Sequence, residues 1–387
     1  MSIFDDMIYG LKQDTDIPKD VWKKYTDTLS NLPDKQGEPS SHTFFKKSMW
    51  PTVAVVALVI GTVSVSAATY MQWSKGLEER LQVTTEQRRK LERNQMASFV
   101  GQSVTQGNVT VTAQQCIVDN YFAHLSFKIE GYKVEDGNQP GFSDTNIIVG
   151  DNANHTGGWS ASFYDGLLSG ADGTAIHADG TPLKDGEIIS YTMKDGSLEY
   201  HVDMMSETKG AFLNQPIHVE LKDLGIYSGK AEDVAVEAEG TWSFDWVLTG
   251  SDAMKKYTLN IPLENSGATV LQAELSPISA SVTYQFPRQK ETEKATDENG
   301  EEITHTYYKE PPILTGVRLK DGTIYKGISG SGISGYISDD SDLYRNTAAL
   351  ERVIDVDQVE SLVFVKSSPE SEQPLTEDNL YFVSVNK

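Results

Sequence analysis

Hydrophobic positions along the chain fall into three textures. The most conspicuous is a continuous run, Trp50 to Met71, rich in Val, Ala, Leu and Ile and free of formal charge over 22 residues. A helix rising about 1.5 Å per residue crosses a hydrocarbon core of about 30 Å in that length. Lys46 and Lys47 precede the run, and Trp50 and Tyr70 mark its ends. The pattern predicts a single transmembrane helix over 50–71, with the N-terminus cytoplasmic and 72–387 extracellular; Lys75 and Arg80 soften the charge asymmetry. Val65-Ser66-Ala67 before Ala68 also fits a small-x-small cleavage site near Ala67. A signal peptide, however, begins near the chain start, and this run does not.

The second texture has helical spacing. Ile3, Phe4, Met7, Ile8 and Leu11 recur at helix-like intervals, as do Ile17, Val21, Tyr25, Leu29 and Leu32 beside Trp22. Residues 1–47 therefore read as a cytoplasmic amphipathic arm, ending in a polar linker, Pro33 to Thr43. Two short helices bury little by themselves, so the arm is either loosely ordered or docked on a partner. The candidate partner-binding face is Phe4, Ile8, Leu11, Val21, Trp22 and Leu29. Residues 72–99 are rich in Glu, Arg, Gln and Leu and contain no proline. They predict an extracellular helical stalk, broken near Val83-Thr84-Thr85, whose apolar positions are too sparse for a coiled coil.

From Val100 the period drops to two. Val109, Val111 and Ala113, then Leu125, Phe127 and Ile129, alternate with polar residues around Asp119-Asn120-Tyr121 and predict an antiparallel hairpin. Further strands are expected at 145–149, 159–164, 188–193, 197–204, 216–224 and 240–248, separated by Asp-Gly turns. After Gly250 they continue at 257–263, 270–276, 280–286, 316–319, 323–325, 359–365 and 380–385. Residues 287–310 read as a charged loop or long hairpin, and 343–354 as a short helix. Closely spaced strands without long helical patterns predict two β-sandwich domains, 100–250 and 251–387.

Charge sharpens that division. The chain holds 33 Lys and Arg against 56 Asp and Glu, a net charge of −23. Beyond residue 47 the counts are 26 and 48, so the predicted extracellular part carries −22. A surface that acidic repels nucleic acid, which is excluded as a partner. Cys116 is the only cysteine, so no intramolecular disulfide forms, and an exported domain without one fits a bacterial cell surface better than an animal one.

Candidate chemistry is sparse. Gly330-Ser331-Gly332-Ile333-Ser334-Gly335 matches G-x-G-x-x-G literally, but the Tyr336-Ile337-Ser338-Asp339-Asp340 that follows opens no helix, so a glycine-rich β-turn is expected. The seven histidines (42, 124, 155, 177, 201, 218 and 305) show no metal-ligand spacing, and no hydrolase motif appears. The Asp-Gly turns lack the spacing of a calcium loop. No cofactor, no metal and no enzymatic activity are predicted.

The organisation resembles a family of membrane-anchored bacterial proteins, domain-of-unknown-function family 4179. The resemblance lies in Gly101, Val104, Thr105, Gly107, Val109, Val111 and Thr112, then Asp119, then Leu125, Phe127 and Ile129. The strand Gly240-Thr241-Trp242-Ser243-Phe244 is similar to one closing the first extracellular region of such proteins. The tail 251–387 resembles the immunoglobulin-like companion domain that often follows it. What the resemblance implies is a single-pass anti-sigma factor, its arm holding an extracytoplasmic-function sigma factor while the ectodomain senses the envelope. The arm departs from zinc-type anti-sigma domains, having no Cys and only His42, so sigma binding falls to Trp22 and its apolar neighbours. A second expectation is a surface module binding a wall glycan or protein ligand, for which exposed Trp159, Trp242 or Trp246 is the signature. Two convergent carboxylates in a cleft would instead revive a hydrolase.

Overall fold

The computed structural model describes residues 73–150, 157–228, 233–296, 302–366 and 375–385, all within one compact unit, Val53–Lys387. The arm 1–47, its six candidate contact residues and the apolar run 50–71 lie outside the described residues. Among the described residues no helix is long and apolar enough to cross a membrane. The architecture is mainly β and every strand pairing is antiparallel.

The first domain contains β1 (Ala97–Gln106), β2 (Val109–Val118), β3 (Phe122–Glu130), β4 (Pro140–Val149), β5 (Gly157–Phe163), β6 (Leu167–Ser169), β7 (Ala175–His177), β8 (Leu198–Ser206), β9 (Pro216–Tyr227) and β10 (Val234–Val247). A five-stranded sheet runs β1-β2-β3-β8-β5 and a three-stranded sheet runs β10-β9-β4. Between them lies one core, including Val111, Leu125, Phe127, Val202, Val219, Trp242 and Phe244. Strand alternation fills it: Leu125, Phe127 and Ile129 point inward from β3 as the period-two pattern requires.

The second domain repeats this plan with β11 (Lys255–Pro262), β12 (Thr269–Leu275), β13 (Ser279–Gln285), β14 (Lys290–Thr296), β15 (Glu302–Tyr308), β16 (Leu314–Leu319), β17 (Ile324–Lys326), β18 (Ser329–Tyr336), β19 (Leu343–Leu350), β20 (Val359–Val365) and β21 (Leu380–Ser384). Its sheets run β11-β12-β13-β19-β18 and β17-β16-β20-β21, and β14-β15 is a separate hairpin. In both domains three strands meander, the next strand (in the second domain, the one after the β14-β15 hairpin) crosses to the second sheet, and one returns to the far edge of the first. A further strand then inserts beside the third, and the last two join the second sheet. The correspondence reaches single residues. Val118↔Ala123 and Leu275↔Ala280 close turns of equal length. The ladder slips between Ala113 and Gln115 in one and between Val270 and Gln272 in the other. The first strands bulge at the same place, with positive φ at Gly101 (70°) and Asn260 (54°). The aromatic pairs Phe163–Tyr200 and Tyr336–Tyr344 occupy matching cross-strand positions, 5.0 and 5.1 Å between ring centres.

Four expectations change. Residues 343–350 form the strand β19, not a helix, because a central slot between β13 and β18 buries Tyr344, Ala348 and Leu350 and overrides the helix propensity of Arg345, Ala348 and Ala349. The glycine-rich run 330–335 lies within β18 rather than in a turn. Residues 188–193 carry no strand. The stalk is replaced by two short helices, α1 (Lys75–Arg80) and α2 (Thr85–Arg93), with β1 starting at Ala97. Helix α2 starts in a capping box made by Thr84 and Gln87, where the helical pattern breaks. The few apolar residues of this segment are not solvated. Trp73, Leu77, Leu81, Leu91 and Met96 are buried with Ile117 of the first domain and Ile278 and Val353 of the second.

Candidate functional site

Polar side chains collect where α1 and the two domains meet. Strand β8 alternates, so Leu198, Tyr200, Val202 and Met204 enter the core while Glu199, His201 and Asp203 emerge on the other face, beneath α1. Glu199 accepts from the Ser74 hydroxyl (2.5 Å) and the Gly76 N–H (2.9 Å), and faces His201 Nε2 at 3.2 Å. Gly76 is required by this approach, since a Cβ there would lie 2.6 Å from Glu199 Oε2 and 2.8 Å from the Tyr164 ring. One turn on, Arg80 donates to both oxygens of Asp203, at 2.8 and 2.7 Å. His124 Nδ1 lies 2.7 Å from Asp203 Oδ1 and therefore carries the donated proton. That leaves Arg80, 3.3 Å from the same nitrogen, without an acceptor there.

The electrostatics follow from burial and pairing. Burial pushes the Asp203 carboxyl up, but the Arg80 and His124 partners outweigh it and hold Asp203 well below the usual carboxylate range. Glu199 is lowered in the same way: burial opposes ionisation, and His201, Ser74 and the Gly76 N–H overcome it. Burial depresses His201 more than Glu199 restores it, so that imidazole is neutral at pH 7. The cluster mounts α1 through one ion pair, Arg80–Asp203, and through the hydrogen bonds that Glu199 accepts from Ser74 and Gly76. Beside it, a cavity of about 320 Å³ is bounded by Arg80, His124, Asp203, Ser169, Ser331 and Glu351, drawn from α1 and both domains.

The domains are joined directly by their matching turns. Asp119 is fully buried; one carboxylate oxygen accepts from the Tyr121 and Phe122 N–H groups, both at 2.8 Å. Its other oxygen accepts from the hydroxyls of Ser276 and Ser279, which belong to the equivalent turn of the second domain. Ser276 in turn accepts from the Ile278 and Ser279 N–H groups, so each turn is held by its first residue. Tyr121 donates to Glu274 (3.0 Å), and burial followed by that carboxylate pushes the phenol up to about 12. Lys209 reaches the same Glu274 oxygen at 2.9 Å. Helix α2 completes the junction through Lys90–Asp355 (2.8 Å) and Gln87 to the Val353 carbonyl (2.8 Å).

Among the described residues no cluster of His, Cys, Asp and Glu is disposed to hold a metal. Of the three tryptophans singled out for ligand binding, Trp159 is 46% exposed, Trp242 is fully buried against the Val109 carbonyl, and Trp246 is half-buried. His201, within the strand expected at 197–204, is buried in β8. The alternation Glu199-His201-Asp203 was the available signal for that face, because three ionisable residues at period two on an otherwise apolar strand need a polar cover.

Fold and junction define a tandem antiparallel β-protein whose N-terminal helices are built into the domain interface. Residues 44–131 match the family described as Domain of unknown function (DUF4179), the family that the strand motif from Gly101 to Ile129 resembles. No curated protein matches the chain. Among solved structures, the conserved domain protein from Bacillus anthracis is similar with 13% identity and a TM-score of 0.38, covering 76% of this chain and 91% of that one. The CupB6 tip adhesin from Pseudomonas aeruginosa aligns at 11% identity and a TM-score of 0.14, covering 65% and 85%.

Proposed function

We propose that the protein is a single-pass membrane regulator whose residues 50–71 span the bilayer. In this reading the arm 1–47 binds an extracytoplasmic-function sigma factor in the cytoplasm and the tandem β-domains sense the envelope outside. The observation that supports it most is the position of residues 73–96. They follow the apolar run directly, and Leu77, Leu81 and Leu91 are buried against both domains at once. A ligand that alters the domain junction therefore acts on the segment next to the membrane, which a free stalk would not provide. We also infer that both domains are immunoglobulin-like. With β2 as strand A, the first domain orders its sheets A-B-E-D and G-F-C, with β1 as an addition; the second follows with β17 as C′.

The test is capture of a sigma factor by the full-length protein from lysate of its native bacterium. Recovery that is lost in a Trp22→Ala, Leu29→Ala double variant supports the reading and its contact face. Unchanged expression of sigma-dependent genes after deletion of residues 1–32 rejects it. The second reading, a surface binding module whose arm has no signalling role, is favoured by the exposed Trp159.

A further inference from the structure

We infer that the outer edge of β5 is a docking edge for an extended basic polypeptide, which joins the five-stranded sheet of the first domain as an additional strand. This goes beyond the regulatory reading and stands without it. Strand β5 ends the sheet order and pairs, among the described residues, with β8 alone. The Tyr164 N–H donates to the Glu199 carbonyl at 2.9 Å, which sets the phase of the ladder. From there the register runs unbroken to Gly157↔Ser206. Gly158, Ser160 and Ser162 therefore bond β8, whereas Trp159 and Ala161 turn their N–H and C=O groups away from it. Those outward groups meet no backbone partner among the described residues.

Proteins guard free strand edges with charge, proline, bulges or cover. The other long edges of this molecule follow that rule. Strand β11 opens with Lys255 and Lys256 and ends in Pro262; β10 carries Glu237, Glu239 and Asp245; β4 begins with Pro140 and includes Asp144. Strand β1 is tied to the β10 backbone by Gln102 and Gln106. Strand β18, the counterpart of β5, is interrupted by a register shift between Ser329 and Gly332, and its first half faces the junction cavity. Strand β5, GGWSASF, has no charge, no proline and no bulge, and Gly157, Gly158, Trp159 and Ser160 are all exposed.

An extended backbone is what alternating N–H and C=O groups on a strand edge recognise, while side chains at alternate positions set preference. The net charge of −22 beyond residue 47 favours a cationic segment and opposes a second copy of this chain. Trp159, flanking the free backbone groups, offers its ring face to a Lys or Arg of the incoming strand.

The test uses the full-length protein in detergent micelles and a fluorescein-labelled octapeptide of alternating lysine and valine, followed by anisotropy. Its alternating glutamate-valine counterpart serves as control. Binding of the lysine peptide should weaken at least about tenfold in Ala161→Pro, which removes an outward N–H and leaves the β8 ladder whole, and in Trp159→Ala. Where Ala161→Pro lowers the melting temperature, Ser160→Lys carries the test, since its added cation should weaken the lysine peptide comparably. Equal binding of the two peptides, or binding unchanged in the edge variants, overturns the proposal. Concentration-dependent self-association lost in Ala161→Pro overturns it too, by making a second copy the occupant.

Discussion

The two β-domains share one plan and differ in what they do with it. Each has a five-stranded sheet in the same strand order, the same bulge, and the same four-residue turn between its second and third strands. Some core positions keep their residue type, as Tyr200 and Tyr344 do, and others change: Phe127 and Cys116 of the first match Tyr284 and Ala273 of the second. The outer face of the large sheet separates them further. In the first domain it bears Glu199, His201, Asp203 and His124 and is covered by α1; in the second the corresponding strand carries Arg345, Thr347 and Ala349. The lesson is that topology constrains alternation, turn length and bulge position, while the identity of the outward residues is free to build a mount for α1 on one copy only.

Breaking the shared feature should have the largest effect. Asp119→Ala deletes the acceptor of two N–H groups and two hydroxyls at a fully buried point between the domains. We expect a loss of about 3–5 kcal/mol in urea denaturation, because buried donors on both turns are left unpaired. A loss below about 1 kcal/mol would mean the turns hold without each other.

Next comes the feature present in one domain alone. Asp203→Ala leaves the Arg80 guanidinium without its partner in a largely buried setting and should cost about 2–4 kcal/mol. Hydrogen exchange should rise first in α1 and only later in the core strands. Uniform loss of protection would show that α1 and the sheet unfold as one unit.

The matched bulges offer a sharper comparison. Gly101→Ala puts a side chain at a φ of 70° with its Cβ 2.4 Å from the Phe99 ring, and should destabilise by about 1–2 kcal/mol. Asn260→Gly at the equivalent position should change stability by under about 0.5 kcal/mol, since Asn tolerates that conformation. Equal effects would argue against the equivalence of the two bulges.

The smallest effect is pH-dependent and confined to the first domain. The folded state lowers His201 from its ordinary 6.5, so it binds fewer protons than the unfolded chain and loses stability as pH falls below about 6.5. Glu199 and Asp203 are lowered from 4.5 and 3.8, which adds a second loss as pH falls further, through those ordinary values and below. Urea midpoints measured from pH 7 to 5 should decline in the native protein and flatten in His201→Gln. A decline that persists in the variant would assign the upper phase to other groups.

Much of the β-architecture was legible because strand burial writes itself as period two. The hairpin around Asp119-Asn120-Tyr121 and the strand at 359–365 follow from alternation and turn residues, and of the two readings of 287–310, charged loop or long hairpin, the structure takes the hairpin. Strand β19 was not, since Arg345, Ala348 and Ala349 favour helix and only the slot between β13 and β18 reverses that preference. The segment 73–96 misled for a related reason. Sparse apolar residues at Leu77, Leu81 and Leu91 suit a solvated helix as well as one buried against two partners, and a one-dimensional pattern cannot say which surface comes to meet them.

What the sequence by itself determined is the arithmetic of the chain: an uncharged run of bilayer length, an acidic remainder, one cysteine, and strands spaced for sheets. Those are sums and periods, set by local composition and by the two-residue repeat of a strand. Tertiary structure alone decided that the two domains are copies of one topology, that Asp119 meets Ser276 and Ser279 from 157 and 160 residues away, and that α1 is mounted on Glu199 and Asp203. Such contacts depend on which surfaces come together after the chain collapses, and residues far apart in sequence leave no periodic trace of meeting.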